Sequence, residues 1–517
     1  MLNQIINNRF LIIFFVPFLL GVFSTLSFEP FNLTIINFFI ISLLFLILCY
    51  VNKRSKNIYR KKPYLVNLFF VGYLFGFGFF FSGNYWISYS LLVDESFKYL
   101  IPFSLFILPM FLGIFFGLAS LISGPFIKKD IPSIFLFSSI FALFDFIRAK
   151  IFTGFPWNLW AYSWSWFTEI IQILNPIGVF AFNLLVITLF CFPAIFFFKK
   201  DKFKLFYSLL FIFIYLSFFI YGSYKINKNN ILISKKNNFI NVKIVSPNLD
   251  IKKNISQKHI EKLFINLVKY SDPDKSKETL FIWPEGVFSG IYLEELKSYK
   301  KIIKEKFTNN HLIVFGVNTE SADKELFFNS LVVINNNFEV VYKYDKQKLV
   351  PFGEFLPFEK YLENFGLKKI TQGYGSFTPG KVQKNFSYKQ MSILPAICYE
   401  IIFPEIFQNS DTRTNLIINI SEDAWFGSSI GPYQHFSKAI FRSIENNSYL
   451  ARSANKGISA FINNKGQVMK SLTPNETGSI ELDVPILNNK FNNKNDLIFF
   501  ILLITYMTIF LFLKKND

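Results

Sequence analysis

At 517 residues and 52% hydrophobic, the chain is more apolar than an ordinary soluble domain, which runs to about 45–50%, so a purely soluble protein is excluded. Its formal charge of +19 does not mark a nucleic-acid binder: the basic residues cap apolar runs or scatter through a polar middle, with no basic stripe interleaved with aromatics. Of the three cysteines, Cys49, Cys191 and Cys398, only the last falls in that polar middle, which excludes a disulfide there.

A bilayer core of about 30 Å takes about 20 apolar helical residues. Against that length the chain predicts eight spans: Phe10–Leu26, Leu33–Tyr50, Leu65–Phe81, Ile101–Ile122, Ser133–Ile147, Ile177–Phe198, Leu205–Tyr221 and Leu497–Leu513. The first lacks a small-x-small cleavage site and runs almost at once into the second, so it reads as a span and not a removed leader. Lys53, Arg54, Lys56, Arg60, Lys61 and Lys62 follow the second span, Lys128 and Lys129 the fourth, Lys199, Lys200, Lys202 and Lys204 the sixth, and Lys514 and Lys515 the last. Counted as cytoplasmic, these residues put both termini inside the cell. Residues 1–222 then form a membrane domain of about seven helices, 238–484 an extracytoplasmic domain, and 497–513 a C-terminal transmembrane helix. Trp157, Trp160, Trp164 and Trp166 with Tyr162 read as an interfacial aromatic belt. Arg148 and Lys150 beside them are costly at membrane depth and suit an interface, or the mouth of a cavity that admits a lipid headgroup.

In the polar middle the pattern switches to short β-rich runs alternating with helical ones. Strands are expected at Phe239–Val245, Thr279–Trp283, Leu312–Val317, Leu331–Ile334, Glu339–Tyr344, Ser392–Ile397, Asn415–Ile420 and Ile458–Ile462. Helices are expected at Ser256–Tyr270, Leu293–Phe307, Glu400–Gln408 and Tyr433–Asn447. The alternation argues a layered α/β domain.

Glu285, Lys346 and Cys398 each sit just past the carboxyl end of one of these apolar strands, where α/β sheets place their ligand crevices. Each residue alone reads as ordinary, a surface acid, a surface base and a buried thiol; their conjunction describes a reaction centre. A thiol of ordinary pKa about 8.5 needs a base or a positive neighbour to attack. Histidine is the usual partner, but only His435 of the three histidines lies near a site loop, which favours Glu285 as base. Lys346 is placed to stabilise a thiolate and then an oxyanion. An amide N–H after Cys398, at a helix start, adds a donor. No His/Cys cluster of metal-ligand spacing and no Gly-rich phosphate loop is present, so neither metal nor cofactor is expected.

The words Trp283-Pro284-Glu285, Tyr344-Asp345-Lys346, Leu349-Val350-Pro351-Phe352-Gly353-Glu354 and Ile397-Cys398-Tyr399-Glu400 resemble the Glu-Lys-Cys motifs of the nitrilase superfamily. Together with the spans, the chain resembles the bacterial apolipoprotein N-acyltransferase family over nearly its whole length. Further matches are Arg148 with Gly154-Phe155-Pro156-Trp157, Asn419-Ile420-Ser421 with Asp423-Ala424-Trp425-Phe426-Gly427, Gly431-Pro432-Tyr433-Gln434-His435, and Arg452 with Asn455 and Gly457. The resemblance implies an αββα sandwich, a nitrilase-like catalytic domain, with Glu285 as base, Lys346 as oxyanion stabiliser and Cys398 as nucleophile. It also implies Glu354 and Glu400 as supporting carboxylates and Tyr399 as a pocket residue, with Trp425 and His435 in matching words. The chain departs from the family at Lys348, where His is usual, at Ser246-Pro247-Asn248, where Gln-Gly-Asn is usual, and at Asp145, where the word begins with Glu.

The implied reaction passes an acyl group from a membrane phospholipid, through a Cys398 thioester, to the α-amine of a diacylglyceryl-modified lipoprotein cysteine. It implies residence in the bacterial inner membrane with the catalytic domain facing the periplasm; a monomer is expected. The segments Phe352–Tyr374 and Trp425–Tyr433 read as lids at the interface, or as ordinary surface loops. Two rivals remain: a membrane-tethered nitrilase-type amidase, which leaves about eight spans unexplained, and a transporter with an extracytoplasmic binding domain, which leaves the thiol idle.

Overall fold

The structure, a computed structural model, describes residues 8, 10–58, 63–198, 204–236, 238–251, 256–288, 290–357, 359, 376–408, 413–487 and 495–515. Of the expected lid Phe352–Tyr374, residues 358 and 360–374 lie outside the described residues. The chain divides into two compact units, one comprising Met1–Ser88, Lys98–Lys225 and Lys494–Asp517, the other Tyr89–Phe97 and Ile226–Asn493.

Among the described residues seven helices are long and apolar enough to cross a membrane: Ile36–Lys53, Tyr64–Leu92, Glu95–Ser123, Ile131–Lys150, Leu174–Phe197, Lys204–Ser234 and Asp496–Lys515. The first expected span is shorter, Leu11–Ser27, and is built of a π turn, an α-helix over Val16–Ser24 and a closing 3-10 turn. The fifth expected span lengthens to Ile131–Lys150 because Asp130 caps its start, Oδ1 accepting from the Ser133 N–H at 3.0 Å, and Pro132 occupies the first turn. Small residues let these helices close on one another. A Cβ added at Gly21 would lie 2.0 Å from the Phe75 carbonyl oxygen, and one at Gly78 would lie 2.2 Å from that of Phe18.

The aromatic-belt expectation needs correcting. Trp157, Trp160, Tyr162 and Trp164 are buried inside the first unit, and only Trp166 is exposed. Trp160 packs on Phe75, Phe79 and Phe116, and Trp157 lies 4.5 Å from the Trp86 ring. Arg148 is buried as well. It donates Nη2 to Asp145 at 2.8 Å and Nη1 to the Phe155 carbonyl, while Asn183 donates to the other Asp145 oxygen at 2.9 Å. The charge thereby fixes the turn carrying Gly154-Phe155-Pro156-Trp157.

Among the described residues of the second unit twelve strands form two six-stranded sheets: β1 Phe239–Ser246, β2 Thr279–Ile282, β3 His311–Glu320, β4 Phe327–Ile334, β5 Val340–Asp345, β6 Phe386–Tyr388, β7 Met391–Ile397, β8 Leu416–Glu422, β9 Tyr449–Asn455, β10 Ser459–Ile462, β11 Val468–Leu472 and β12 Gly478–Pro485. Their orders are β12-β1-β2-β3-β4-β5 and β11-β10-β9-β8-β7-β6. Each sheet has a parallel centre, β1-β2-β3 or β7-β8-β9, flanked by antiparallel strands.

Alternation along the strands makes two layers of core. Val242, Ile244, Leu280, Ile282 and Val314 meet Ile393, Ile397, Ile418 and Ile420 between the sheets. Val245, Phe281, Trp283, Ile313 and Phe315 turn the other way, onto Ile260, Phe264, Leu267 and Val268 of the helix Gln257–Ser271. With the buried helix Gly431–Glu445 beside β9, the layers run helix, sheet, sheet, helix, an αββα sandwich. The expected helix Leu293–Phe307 breaks into Leu293–Leu296, a 3-10 turn and Lys300–Lys306, and Glu400–Gln408 begins as a 3-10 turn, Cys398–Ile402.

Candidate active site

Strand ends set the geometry. Within each sheet the central strands are parallel, so their carboxyl ends lie on one edge, where loops and side chains converge. Glu285 follows β2, Lys346 follows β5 and Cys398 follows β7.

Glu285 and Lys346 meet directly: Lys346 Nζ lies 3.4 Å from Glu285 Oε1 and 2.8 Å from Glu354 Oε1. Two carboxyl groups thus hold one ammonium whose side chain is 1% exposed. Asn329 on β4 bridges them, its Nδ2 donating to Glu285 Oε1 at 2.8 Å and to Glu354 Oε1 at 2.7 Å. The second oxygen of each is held by backbone, Glu285 Oε2 by the Glu422 N–H at 3.1 Å and Glu354 Oε2 by the Val350 N–H at 2.8 Å. Burial disfavours the Lys346 charge, but Glu285 and Glu354 outweigh it and hold its pKa above the usual lysine value.

Cys398 occupies the turn from β7 into the 3-10 segment with φ of +47°, a left-handed conformation that costs a non-glycine residue of order 1–3 kcal/mol. Its thiol is buried among these groups. Burial pushes its pKa up, Glu285 adds to that, and Lys346 offsets it in part. The balance favours the thiol over the thiolate.

Glu400 sits beneath the same turn, with no exposed surface. Its Oε2 accepts from the Ile397 N–H at 2.7 Å, and its Oε1 from the Gln347 N–H at 2.6 Å, Tyr344 Oη at 3.0 Å and the Lys348 N–H at 3.2 Å. One carboxyl therefore ties the Cys398 turn to the segment after Lys346. Burial pushes its pKa up to about 7, against the pull of the Ile397 N–H, the Lys346 charge and the Gln347 and Lys348 amides. Tyr399 packs its ring edge-on to Phe403 at 5.0 Å, and burial raises its phenol while the Lys346 charge pulls it down. Lys348 pairs with Glu405 at 3.3 Å and lies over the Phe403 ring. Trp425 lies half-buried in the 3-10 turn Asp423–Phe426.

His435 belongs to a separate cluster behind Cys398. Its Nδ1 lies 3.1 Å from Asp423 Oδ1 and 3.0 Å from Arg452 Nη2, and its Nε2 lies 3.2 Å from the Cys398 carbonyl oxygen, not the sulfur. Arg452 also donates to Asp423 Oδ2 at 2.8 Å and, through Nη1, to Asn419.

Two residues that the sequence reading did not single out complete the site. Asn329 is one. Glu422 is the other: its amide holds Glu285, and its own carboxyl, raised in pKa by burial, accepts from Asn455 Nδ2 at 2.9 Å and from the Ala424 N–H at 3.1 Å. A cavity of about 190 Å³ opens beside it, lined by Gly286, Val287, Leu263, Leu249 and Asn455. The available signal was a pair of polar residues, Asn329-Ser330, interrupting an apolar strand, and an acid continuing β8.

Residues 20–192 match the family described as apolipoprotein N-acyltransferase N-terminal domain, and residues 258–486 match that described as carbon-nitrogen hydrolase. An apolipoprotein N-acyltransferase of Rickettsia typhi is 33% identical over 96% of this chain and 98% of its own length. That of Rickettsia bellii is 35% identical over 95% and 96%, and that of Brucella suis 30% identical over 92% and 90%.

Proposed function

The chain belongs to the apolipoprotein N-acyltransferase family, and from that premise we propose that Cys398 carries the acyl group between a membrane phospholipid and the α-amine of a diacylglyceryl-cysteine lipoprotein. The observation that carries this reading is the buried pairing of Glu285 with Lys346 beside a thiol that both charges influence. Because the resting sulfur is protonated, attack needs a base at the moment of reaction. Glu285 takes the thiol proton as sulfur bonds to the ester carbonyl carbon of the phospholipid. The Lys346 ammonium stabilises the oxyanion that forms. Collapse breaks the carbon–oxygen bond, Glu285 returns the proton to the departing glycerol oxygen, and a lysophospholipid leaves. Next the neutral α-amine of the lipoprotein attacks the thioester, the carbon–nitrogen bond forms, and the carbon–sulfur bond breaks. Glu285 passes the amine proton to the sulfur, restoring the thiol. Splitting one exchange into two through a covalent intermediate lowers each barrier.

Glu354 and Asn329 position the pair: Asn329 donates to Glu285 Oε1, the oxygen that faces Lys346, and Glu354 accepts from both Asn329 and Lys346, so that it keeps the ammonium in place when the Glu285 charge is transiently neutralised. Glu400 holds the Cys398 turn, and Tyr399 walls the pocket. We assign the membrane helices the role of presenting both lipid substrates from the bilayer. The charge distribution of the short loops supports an inner-membrane protein with both termini cytoplasmic and this domain periplasmic.

Intact-mass measurement of the full chain after exposure to phospholipid tests the reading. One acyl mass is expected on the wild-type protein, absent from Cys398→Ala and discharged by a diacylglyceryl-cysteine peptide. An unmodified sulfur in a turning-over preparation would sink it.

A further inference from the structure

A strained nucleophile turn needs to be held from both sides. Cys398 is left-handed, with φ of +47°. On its N-terminal side Glu400 Oε2 accepts the Ile397 N–H at 2.7 Å. Its C-terminal side is met by His435, whose Nε2 lies 3.2 Å from the Cys398 carbonyl oxygen in a pocket with no exposure. We propose that His435 is a positioning residue, donating its Nε2–H to that carbonyl and so fixing the backbone that aims the Cys398 sulfur. The proposal rests on the reading of Cys398 as the nucleophile.

A carbonyl oxygen only accepts, so the hydrogen bond requires the proton on Nε2. The other ring nitrogen then offers a lone pair, and Arg452 Nη2, a donor in every state, stands 3.0 Å away to fill it. Asp423 Oδ1, 3.1 Å from the same nitrogen, is already engaged by Arg452 at 3.0 Å and by the Ser421 hydroxyl at 2.7 Å. The charges facing the ring are therefore the Arg452 guanidinium and the Asp423 carboxylate, together with Lys438 on the ring's own helix. Burial and the Arg452 charge hold the imidazole down to about 4, so it stays neutral through the physiological range. A planar trans peptide sends its N–H opposite to its C=O. Fixing the Cys398 carbonyl toward His435 thus turns the Tyr399 N–H to the other side of the same peptide plane. His435 meets Cys398 at its carbonyl oxygen. It acts through the turn, which separates it from the imidazoles that deprotonate thiols.

Two variants discriminate a hydrogen bond from mere filling. The amide nitrogen of glutamine reaches about where Nε2 stands, and that of asparagine about where Nδ1 stands. In the full chain in detergent, with a phospholipid bearing a fluorescent acyl chain, His435→Gln is expected to form the thioester within about fivefold of the wild-type rate. His435→Asn is expected to slow single-turnover acylation about a hundredfold with the phospholipid KM within about twofold, the scale that a small misalignment costs. A wild-type rate in His435→Asn, or equal loss in both variants, overturns the proposal. A wild-type protein that forms no thioester, or a Cys398→Ala variant that does, would instead defeat the nucleophile reading. A measurement on the unaltered protein covers variants that do not fold. The chain has three histidines, so nitrogen-15 histidine labelling is tractable. A neutral Nε2–H ring for His435, unchanged from about pH 5 to pH 8, is expected; an Nδ1–H ring or an imidazolium overturns it.

Discussion

Two buried clusters of the second unit contain the same kinds of residue and do different things. One is Glu285–Lys346–Glu354 with Asn329; the other is Asp423–His435–Arg452 with Asn419. By residue type the second is the more inviting, since an acid, a histidine and a cysteine nearby suggest a protease-like relay. Geometry reverses that choice. His435 addresses the carbonyl of Cys398 and is locked by Arg452, whereas Glu285 and Lys346 bear on the sulfur. The difference teaches that a side chain's role follows from the atom it faces, and that charge balance tells a working cluster from a structural one. Arg452 meets a single carboxylate and closes its cluster, while Lys346 meets two carboxyl groups, so one can change charge while the other still holds the ammonium.

Substitution can break this comparison at several levels. Cys398→Ala should abolish the acyl-enzyme by mass and lower turnover at least about a thousandfold, and Glu285→Gln should lower it roughly 10²–10⁴-fold; retained turnover in either would make the two clusters equivalent. In the second cluster, Arg452→Met leaves the Asp423 charge buried without its partner. That change should cost about 3–5 kcal/mol in thermal unfolding and should slow acylation by the folded protein too, because Arg452 is the partner that keeps the His435 proton on Nε2. Acid should act on the second cluster too. The His435 pKa is held down to about 4 from 6.5, so its neutral form contributes stability that is present above pH 6.5 and lost as pH falls toward 4, roughly 3 kcal/mol by linkage. Unfolding midpoints from pH 7 to pH 4 should show this loss in the wild type and lack it in His435→Gln. Glu400→Gln brings an NH₂ group against an N–H that needs an acceptor, and should destabilise by about 1–3 kcal/mol. The smallest effect is expected at Cys49→Ser and Cys191→Ser, with turnover within about twofold, because both thiols lie buried in the membrane unit.

The sequence showed the catalytic-type residues for a physical reason: each follows an apolar strand, and strand ends converge by topology whatever the packing between them. Eight strands were visible from their apolar runs; β6, β9, β11 and β12 were not. β9 was masked because Tyr449–Asn455 carries Arg452, Ser453 and Asn455 through the sandwich interior, and polarity hides a strand whose charges are neutralised by residues distant in sequence. Asn329 escaped for the same reason: its two acceptors lie 44 and 25 residues away. Trp157, Trp160 and Trp164 were misread because aromatics near the end of an apolar run fit a belt and a core equally well. Only tertiary packing, with Trp160 against Phe75, Phe79 and Phe116, decides between them.

Immediately after Glu285, Gly286 has φ of +78°, and a Cβ there would stand 2.2 Å from Glu422 Oε2. Position 286 is thus closed twice, by its torsion and by an acid from the opposite sheet. A side chain at 286 would adopt a torsion that favours glycine and would push the Glu422 carboxyl away from Asn455, on the residue whose amide holds Glu285.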